Sequence, residues 1–327
     1  MATNKLTDSN QFPEEVLDRI KQLSQKYEAM GQDLASYLEG LLHADYLKYW
    51  EYIHLDTLLS LQHPKTNFAD EPIFIMYHQI TELYFKLIIN ELTQACDVTR
   101  QNAGPEDFLM RLRRVNRYFR HLSDSFDIMV DGMEQQQFLK FRMALLPSSG
   151  FQSAQYRQIE ILSTDFIRLV APTQQAALQG ADVPTMYENL YWKAGATELA
   201  TGNKTLTLRH FEEKYGQLFL NLAQKYQGTN LWQTYHNHYR TNDAGPMASE
   251  LRQYDTFVNI FWPLAHYKSA VRYLQRKPED IAATGGTNWQ QYLPPHFQRI
   301  IFYPELWSAD EQQAWGRKWV FEQVGKT

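Results

Sequence analysis

The sequence predicts an all-α protein. Apolar residues recur at three- and four-residue intervals along most of the chain. No stretch of useful length alternates apolar and polar residues as a half-buried strand does. The segment Phe74 to Leu87 is almost continuously apolar, yet Phe74, His78 and Glu82 fall near one line along a helix. No internal repeat, low-complexity segment or linker divides the chain. One helical domain spanning 1–327 is expected, with 1–45 as an N-terminal helical extension and 170–205 as an irregular excursion or lid.

Ser9 or Asn10 is placed to cap a helix beginning near Pro13, with Glu14 and Glu15 in its first turn and Val16, Ile20, Leu23 and Tyr27 on its apolar face. A second helix fits Leu34 to Leu42. Tyr49, Tyr52 and Ile53 share one face of the next segment, which reads as an amphipathic packing face. Pro72 stands near the start of the long apolar helix, which extends to about Val98, roughly 26 residues. Gly104-Pro105 breaks the chain. The helix that follows carries Arg111, Arg113, Arg114, Arg117 and Arg120 beside an apolar stripe of Leu112, Val115 and Phe119, so a solvated basic face is expected.

Residues 134–146 read as a short helix with Phe138 and Arg142 one turn apart. A turn at Pro147-Ser148-Ser149-Gly150 leads into a new helix. Pro172, Gly180, Pro184, Gly195 and Gly202 make 170–205 the least regular part. Leu206 to Tyr226 is a clear helix. Met247 to Arg276 is another, kinked at Pro263, with His266 three residues later on the same face. Thr284-Gly285-Gly286 lies in a loop, and the tail after Pro294-Pro295 forms short helices.

Composition narrows the chemistry. Aromatic residues make up 14% of the chain, which suits both a core and a pocket for a flat ligand. The net charge of −5 argues against a nucleic-acid or anionic-membrane partner. Cys96 is the single cysteine, so no internal disulfide and no CxxC site can form. The first residues have no apolar signal region, and no apolar run approaches the ~20 residues of a membrane span. A reducing cytoplasmic setting is expected. There is no HExxH, GxSxG or P-loop, and His236 and His238 are two apart, the wrong spacing for one helix face.

A buried imidazole or carboxylate must be partnered. By itself the Phe74–Leu87 stretch reads as a core helix whose His78 is hydrogen-bonded within the protein. His78 and His266, both in very apolar helices and far apart in sequence, also fit a haem held between helices. That arrangement is one among several at this point.

The blocks in order carry more. Tyr49-x-x-Tyr52-Ile53-x-Leu55-Asp56 precedes Phe74-x-x-x-His78-Gln79-x-x-Glu82-Leu83. Then come Phe141-Arg142 and Pro147-Ser148-Ser149-Gly150-Phe151-Gln152-Ser153. His266 with Arg272, Thr284-Gly285-Gly286, and Phe302-Tyr303-Pro304-Glu305-Leu306 complete the set. With these blocks the chain resembles the tryptophan 2,3-dioxygenase family over roughly residues 49–310. The resemblance implies a haem b enzyme, active as Fe²⁺ with O₂ as co-substrate, that opens the indole ring of L-tryptophan to N-formyl-L-kynurenine in tryptophan catabolism. It implies His266 as proximal iron ligand, with Trp262, Ser149 and Gly150 on the cofactor. It implies His78 as the catalytic group that meets the indole N–H, Phe74 and Phe138 as pocket walls, Arg142 on the substrate carboxylate and Thr284 on the ammonium end. Tyr49, Tyr52 and Ile53 would line the pocket of a neighbouring subunit in a homotetramer.

This chain departs from the family pattern at Trp50 and Glu51, at Pro263-Leu264-Ala265 where the family is basic, at Lys277-Pro278-Glu279-Asp280, and at Thr287-Asn288-Trp289. Those departures bear on substrate identity, so a haem mono-oxygenase acting on another aromatic amino acid is the alternative. A helical binding module without activity is a third.

Overall fold

The structure is a computed structural model of the chain. It describes residues 12–44, 48–146, 148, 150–197, 203–240, 245–275 and 293–317. The all-α expectation holds. Among the described residues the only strand-like pairings are isolated bridges joining Val170 to Leu190 and Thr197 to Lys204. The chain forms two compact units, one ending at Leu61 and one beginning at Gln62.

The first unit contains α1 (Glu14–Ala29), α2 (Leu34–Leu42), α3 (Tyr49–Tyr52) and α4 (Leu55–Leu59). α1 starts directly after Pro13 with no side-chain cap. The expected caps Ser9 and Asn10 lie outside the described residues. Asp33 caps α2 by accepting from the amides of Ala35 and Ser36. None of these four helices contains a buried residue. The apolar face of α1 is formed as expected, but Val16, Ile20 and Leu23 remain exposed.

In the second unit, α5 (Glu71–Cys96) runs 26 residues. It packs on α6 (Pro105–Ser125), and α7 (Asp127–Val130) and α8 (Gln135–Phe141) follow. α8 is shorter than the sequence indicated, because Arg142–Leu145 tightens into a 3₁₀ turn. α6 buries its apolar stripe, Leu112, Val115 and Phe119. The expected solvated arginine face needs correction at Arg111. That side chain is buried and bonded to Glu91 at 2.9 Å and Asp107 at 3.0 Å, and Arg114 reaches the same Glu91 at 3.3 Å. A charge on a half-covered helix face is partnered there, as burial requires.

α9 (Ala154–Ser163) lies against α5, and α12 (Leu206–Tyr226) lies against α9. Between them α10 (Val183–Glu188) and α11 (Tyr191–Ala194) occupy part of the 170–205 segment. α13 (Leu231–Thr234), α14 (Pro246–Thr256) and α15 (Trp262–Leu274) follow, then α16 (Pro295–Gln298) and α17 (Ala309–Gln313).

The junction of α14 and α15 is not a simple proline kink. Phe257–Phe261 forms a π turn, and Pro263 sits in the first turn of α15. Proline lacks the N–H and its ring crowds the carbonyl four residues back. The wider turn relieves that crowding before the proline arrives. Inside it, Val258 accepts a bond from the Tyr156 hydroxyl at 3.0 Å.

Candidate active site

A cavity of about 680 Å³ opens in the second unit. That volume is typical of a small-molecule or cofactor site. Its walls are mostly aromatic, with Phe74, Phe85, Phe126, Phe138, Trp262 and Tyr273 prominent. The two histidines singled out in the sequence both line it.

They are built alike. His78 on α5 has Nδ1 2.7 Å from the carbonyl of Phe74, and His266 on α15 has Nδ1 2.9 Å from the carbonyl of Trp262. A carbonyl only accepts, so Nδ1–H donates in both rings and the lone pair lies on Nε2. Burial pushes both pKa values down. For His266 burial takes the value down to about 4, despite the opposing bond to Trp262. Burial lowers the pKa of His78 as well, against the opposing effects of the Phe74 bond and the Glu82 charge. Two neutral imidazoles with fixed tautomers therefore face one aromatic cavity. His78 has its ring bare to the cavity space while protein surrounds it, and it stacks on Phe74 with centroids 4.1 Å apart. His266 is held by Trp262 at 4.4 Å and Phe126 at 4.5 Å.

Neighbouring elements fix these helices. Asp70, at the start of α5, accepts from the amide of Glu134 at 2.6 Å, which brings α8 alongside. Phe138 then stands 6.2 Å from Phe74 and 4.5 Å from Tyr273 of α15. Gln135 donates to the carbonyl of Arg272 at 3.0 Å, and Tyr273 donates to that of Met133 at 3.2 Å. Ser153 caps α9 by accepting from the amide of Tyr156, so the Gly150–Ser153 turn borders the cavity.

Five expected site residues thus come together: Phe74, His78, Phe138, Trp262 and His266, with Gly150 at the rim. Arg142 is buried just past α8, yet it is not among the lining residues. Tyr49, Tyr52 and Ile53 belong to the first unit, where the two tyrosines are 70% and 72% exposed. Ser149 and Thr284 lie outside the described residues, as do Lys277–Asp280 and Thr287–Trp289.

The wall also holds Glu82, whose partner the sequence leaves open, and further residues that the sequence does not single out. Glu82 sits half-buried on the wall and accepts from Gln155 Nε2 at 2.8 Å, so its donor is an amide from α9. Arg157 lines the cavity with Tyr191 and Trp192 of α11. The Arg157/Glu160 spacing of three inside an apolar helix was the available signal. The aromatic pair from α11 had none, because nothing local says which way that segment faces.

Among the described residues no group of three His, Cys, Asp or Glu side chains converges on a metal. Iron held here would need a macrocycle to supply its remaining ligands. One neutral axial imidazole in an aromatic slot fits such a group. At Gly150 an added Cβ would meet nothing within 4 Å, so backbone there is open to close approach.

The profile of the tryptophan 2,3-dioxygenase family matches residues 41–166. A tryptophan 2,3-dioxygenase from Ruegeria sp. (strain TM1040) is 31% identical over 277 residues, covering 81% of this chain and 92% of that one. One from Polaromonas sp. (strain JS666 / ATCC BAA-500) is 30% identical over 265 residues, covering 80% and 86%. Over a shorter stretch of 126 residues, 36% of this chain and 30% of the other, identity to the Sorangium cellulosum (strain So ce56) enzyme reaches 43%.

Proposed function

The chain belongs to the tryptophan 2,3-dioxygenase family, and from that premise we propose that it is itself a haem-dependent dioxygenase of L-tryptophan. Its product is N-formyl-L-kynurenine. The observation that carries this reading is the pair of neutral imidazoles, each locked by its own helix, facing one aromatic cavity.

His266 would hold the iron of haem b, and Trp262, Ser149 and Gly150 are the other residues that would hold the group. Ferrous haem, when bound, supplies the centre at which O₂ is activated. The chain's own residues do the positioning, which is where much of the rate in such a reaction arises. Phe74 packs on the indole with Phe138 as an apolar neighbour in the pocket, and these aromatic walls exclude water. His78 accepts the indole N–H at Nε2, because Nδ1 is committed to Phe74. Indole is too weak an acid for His78 to need to remove that proton, so it orients the ring. Arg142 and Thr284 take the carboxylate and ammonium groups. A guanidinium suits a carboxylate bidentately. For Arg142 this requires the 3₁₀ turn at 142–145 to present the side chain inward when substrate arrives.

The active assembly is a homotetramer in which Tyr49, Tyr52 and Ile53 complete a neighbour's pocket. Its support is apolar surface that the single chain leaves open: α1–α4 bury nothing, and α5 exposes Met76, Ile80, Leu83 and Leu87. Among the described residues no helix is long and apolar enough to cross a membrane. With its lone thiol buried, the protein is assigned to the reducing cytoplasm.

The test is turnover of L-tryptophan by ferrous, haem-loaded protein under ¹⁸O₂. Formylkynurenine carrying two labelled atoms is expected. A singly labelled hydroxylated amino acid would overturn the dioxygenase assignment.

A further inference from the structure

One stretch of the cavity wall is too short to hold its own place. Leu293, Phe297 and Gln298 line the cavity, and the last two belong to α16. α16 is four residues long, a single turn. An isolated turn is not stable by itself, so its position is set by what packs on it. Phe297 is 58% exposed while lining the cavity, which puts it at the mouth. Its ring lies 4.0 Å from that of His296.

What packs on α16 is the chain just past α17. Gly316 has φ +74°, and a Cβ there would lie 2.6 Å from the amide nitrogen of His296 and 2.9 Å from the carbonyl carbon of Pro295. Both are backbone atoms, so no side-chain rotation would relieve the clash. Glycine adopts that φ without strain and lets two backbones meet at that range. Gly316 therefore rests directly on α16, over the buried Pro295.

The segment that carries Gly316 is itself anchored. Trp315 is 1% exposed and packs edge-on against Trp307, with centroids 5.0 Å apart. Trp307 is fixed twice, by Nε1 donating to Asp255 at 2.9 Å and by the Arg252 guanidinium 4.2 Å from its ring. Arg252 also donates to the carbonyl of Leu306 at 3.0 Å and to Glu311 of α17 at 2.5 Å. Gln312 of α17 donates to the carbonyls of Pro304 at 2.8 Å and Trp307 at 2.9 Å. Arg252 and Asp255 belong to α14, which buries Leu251 and Tyr254 in the core. A chain of contacts thus runs from the core, through α17 and Trp315, to Gly316 and the mouth. Trp315 and Gly316 lie past Phe302 to Leu306, the last of the blocks that carry the family resemblance.

We infer that α17 with Trp315-Gly316 is a clamp that positions Phe297 at the cavity mouth, and that Gly316 is thereby a positioning residue for the amino-acid substrate. The inference rests on the haem and tryptophan reading given above. A haem ligated by His266 is anchored where Trp262 and Phe126 enclose that ring, whereas an exposed phenylalanine meets the ligand that enters afterwards.

The test uses haem-loaded, full-length protein. Gly316→Ala is expected to raise KM for L-tryptophan roughly 10-fold, within the loss that a misplacement of about 1 Å causes. Its kcat should stay within about twofold, the pattern of weakened uniform binding. L-tryptophan binding to the ferric protein, read from the Soret band without turnover, should weaken by the same factor. Haem affinity should be unchanged. Phe297→Ala should raise KM as well, and adding Gly316→Ala to it should cost nothing further, because both act on one wall. Additive effects would show that Gly316 does not work through Phe297 and would overturn the inference. A Gly316→Ala protein that unfolds at lower urea yet keeps the wild-type KM would also overturn it, since the clamp would then be structural only.

Ser308→Ala serves if Gly316→Ala does not fold. Ser308 caps α17 by accepting from the amide of Glu311 at 3.3 Å, and its loss loosens the clamp from an exposed position. It should give a smaller rise in KM, again absent when Phe297 is alanine. Two outcomes separate this inference from the reading beneath it. If Gly316→Ala weakens haem as much as L-tryptophan, the wall serves the cofactor and the substrate assignment fails. If wild type gives no Soret band that depends on His266, the haem reading itself fails, and this inference fails with it.

Discussion

His78 and His266 use one local device. A histidine in a helix reaches the carbonyl four residues back with Nδ1, which fixes the tautomer, and burial keeps the ring neutral. The surroundings then divide the labour. His266 is wedged between Trp262 and Phe126, whereas His78 is bare to the cavity beside Phe74. His266→Ala is expected to abolish the five-coordinate ferrous haem spectrum in a folded protein. His78→Ala should keep that spectrum and lower kcat/KM for L-tryptophan by roughly 10- to 100-fold, the worth of one oriented hydrogen bond. Loss of haem from the His78 variant would mean the two roles are reversed. The acceptor role also has a pH signature. Because burial holds the His78 pKa below its ordinary value, the working neutral form is the major one at neutral pH, and kcat/KM should decline only on the acid side. That acid limb should vanish in His78→Ala. The spacing of Phe74, His78 and Glu82 was legible because helix geometry is local. The partner of Glu82 was not, since Gln155 arrives from another helix.

At the scale of elements, the α14–α15 junction and the C-terminal segment are held by one buried carboxylate. Asp255 accepts from the amides of Phe302 at 3.0 Å and Tyr303 at 3.2 Å, from Trp307 Nε1 at 2.9 Å and from Asn259 at 2.7 Å. Burial raises its pKa to about 6, despite these four donors. The sign follows from linkage. A carboxyl whose folded pKa lies above its unfolded value favours the fold fully when protonated, and that contribution is lost as pH rises through about 6. The stability of wild type relative to Asp255→Asn should therefore fall by about 2–3 kcal/mol between roughly pH 4 and pH 6, then stay level. Urea unfolding of both proteins across that range measures it, and a constant difference would refute it. Sequence located Pro263 and the Phe302-Tyr303 block. It gave no sign of the π turn, which answers crowding between a proline ring and a preceding carbonyl, nor of the aspartate that gathers the block.

At the scale of the molecule, α5 explains why its sequence is apolar nearly all round. One side, with Phe85, Ile88 and Leu92, is core. An adjacent strip, with Phe74, His78 and Glu82, faces the cavity. The opposite side carries Met76, Ile80, Leu83 and Leu87, which the single chain leaves 44–49% exposed. A helix apolar on every face is normally covered on every face. In the proposed homotetramer, Leu83→Glu combined with Leu87→Glu is expected to shift sedimentation from four chains to smaller species, with helical circular dichroism unchanged. An unaltered tetramer would show that this stripe is not where the copies meet.

The sequence by itself determined the helices, their approximate ends, the two imidazoles and the aromatic character of their surroundings. Each of these follows from spacing within one or two turns. Tertiary structure alone decided which walls meet. It brought α8 to α5 through Asp70, turned Tyr191 and Trp192 toward the cavity and buried Arg111 in an ion cluster. The physical reason is that burial and hydrogen-bond partnership are properties of pairs brought together by packing. A local pattern fixes which side of a helix is apolar, but not what comes to cover it.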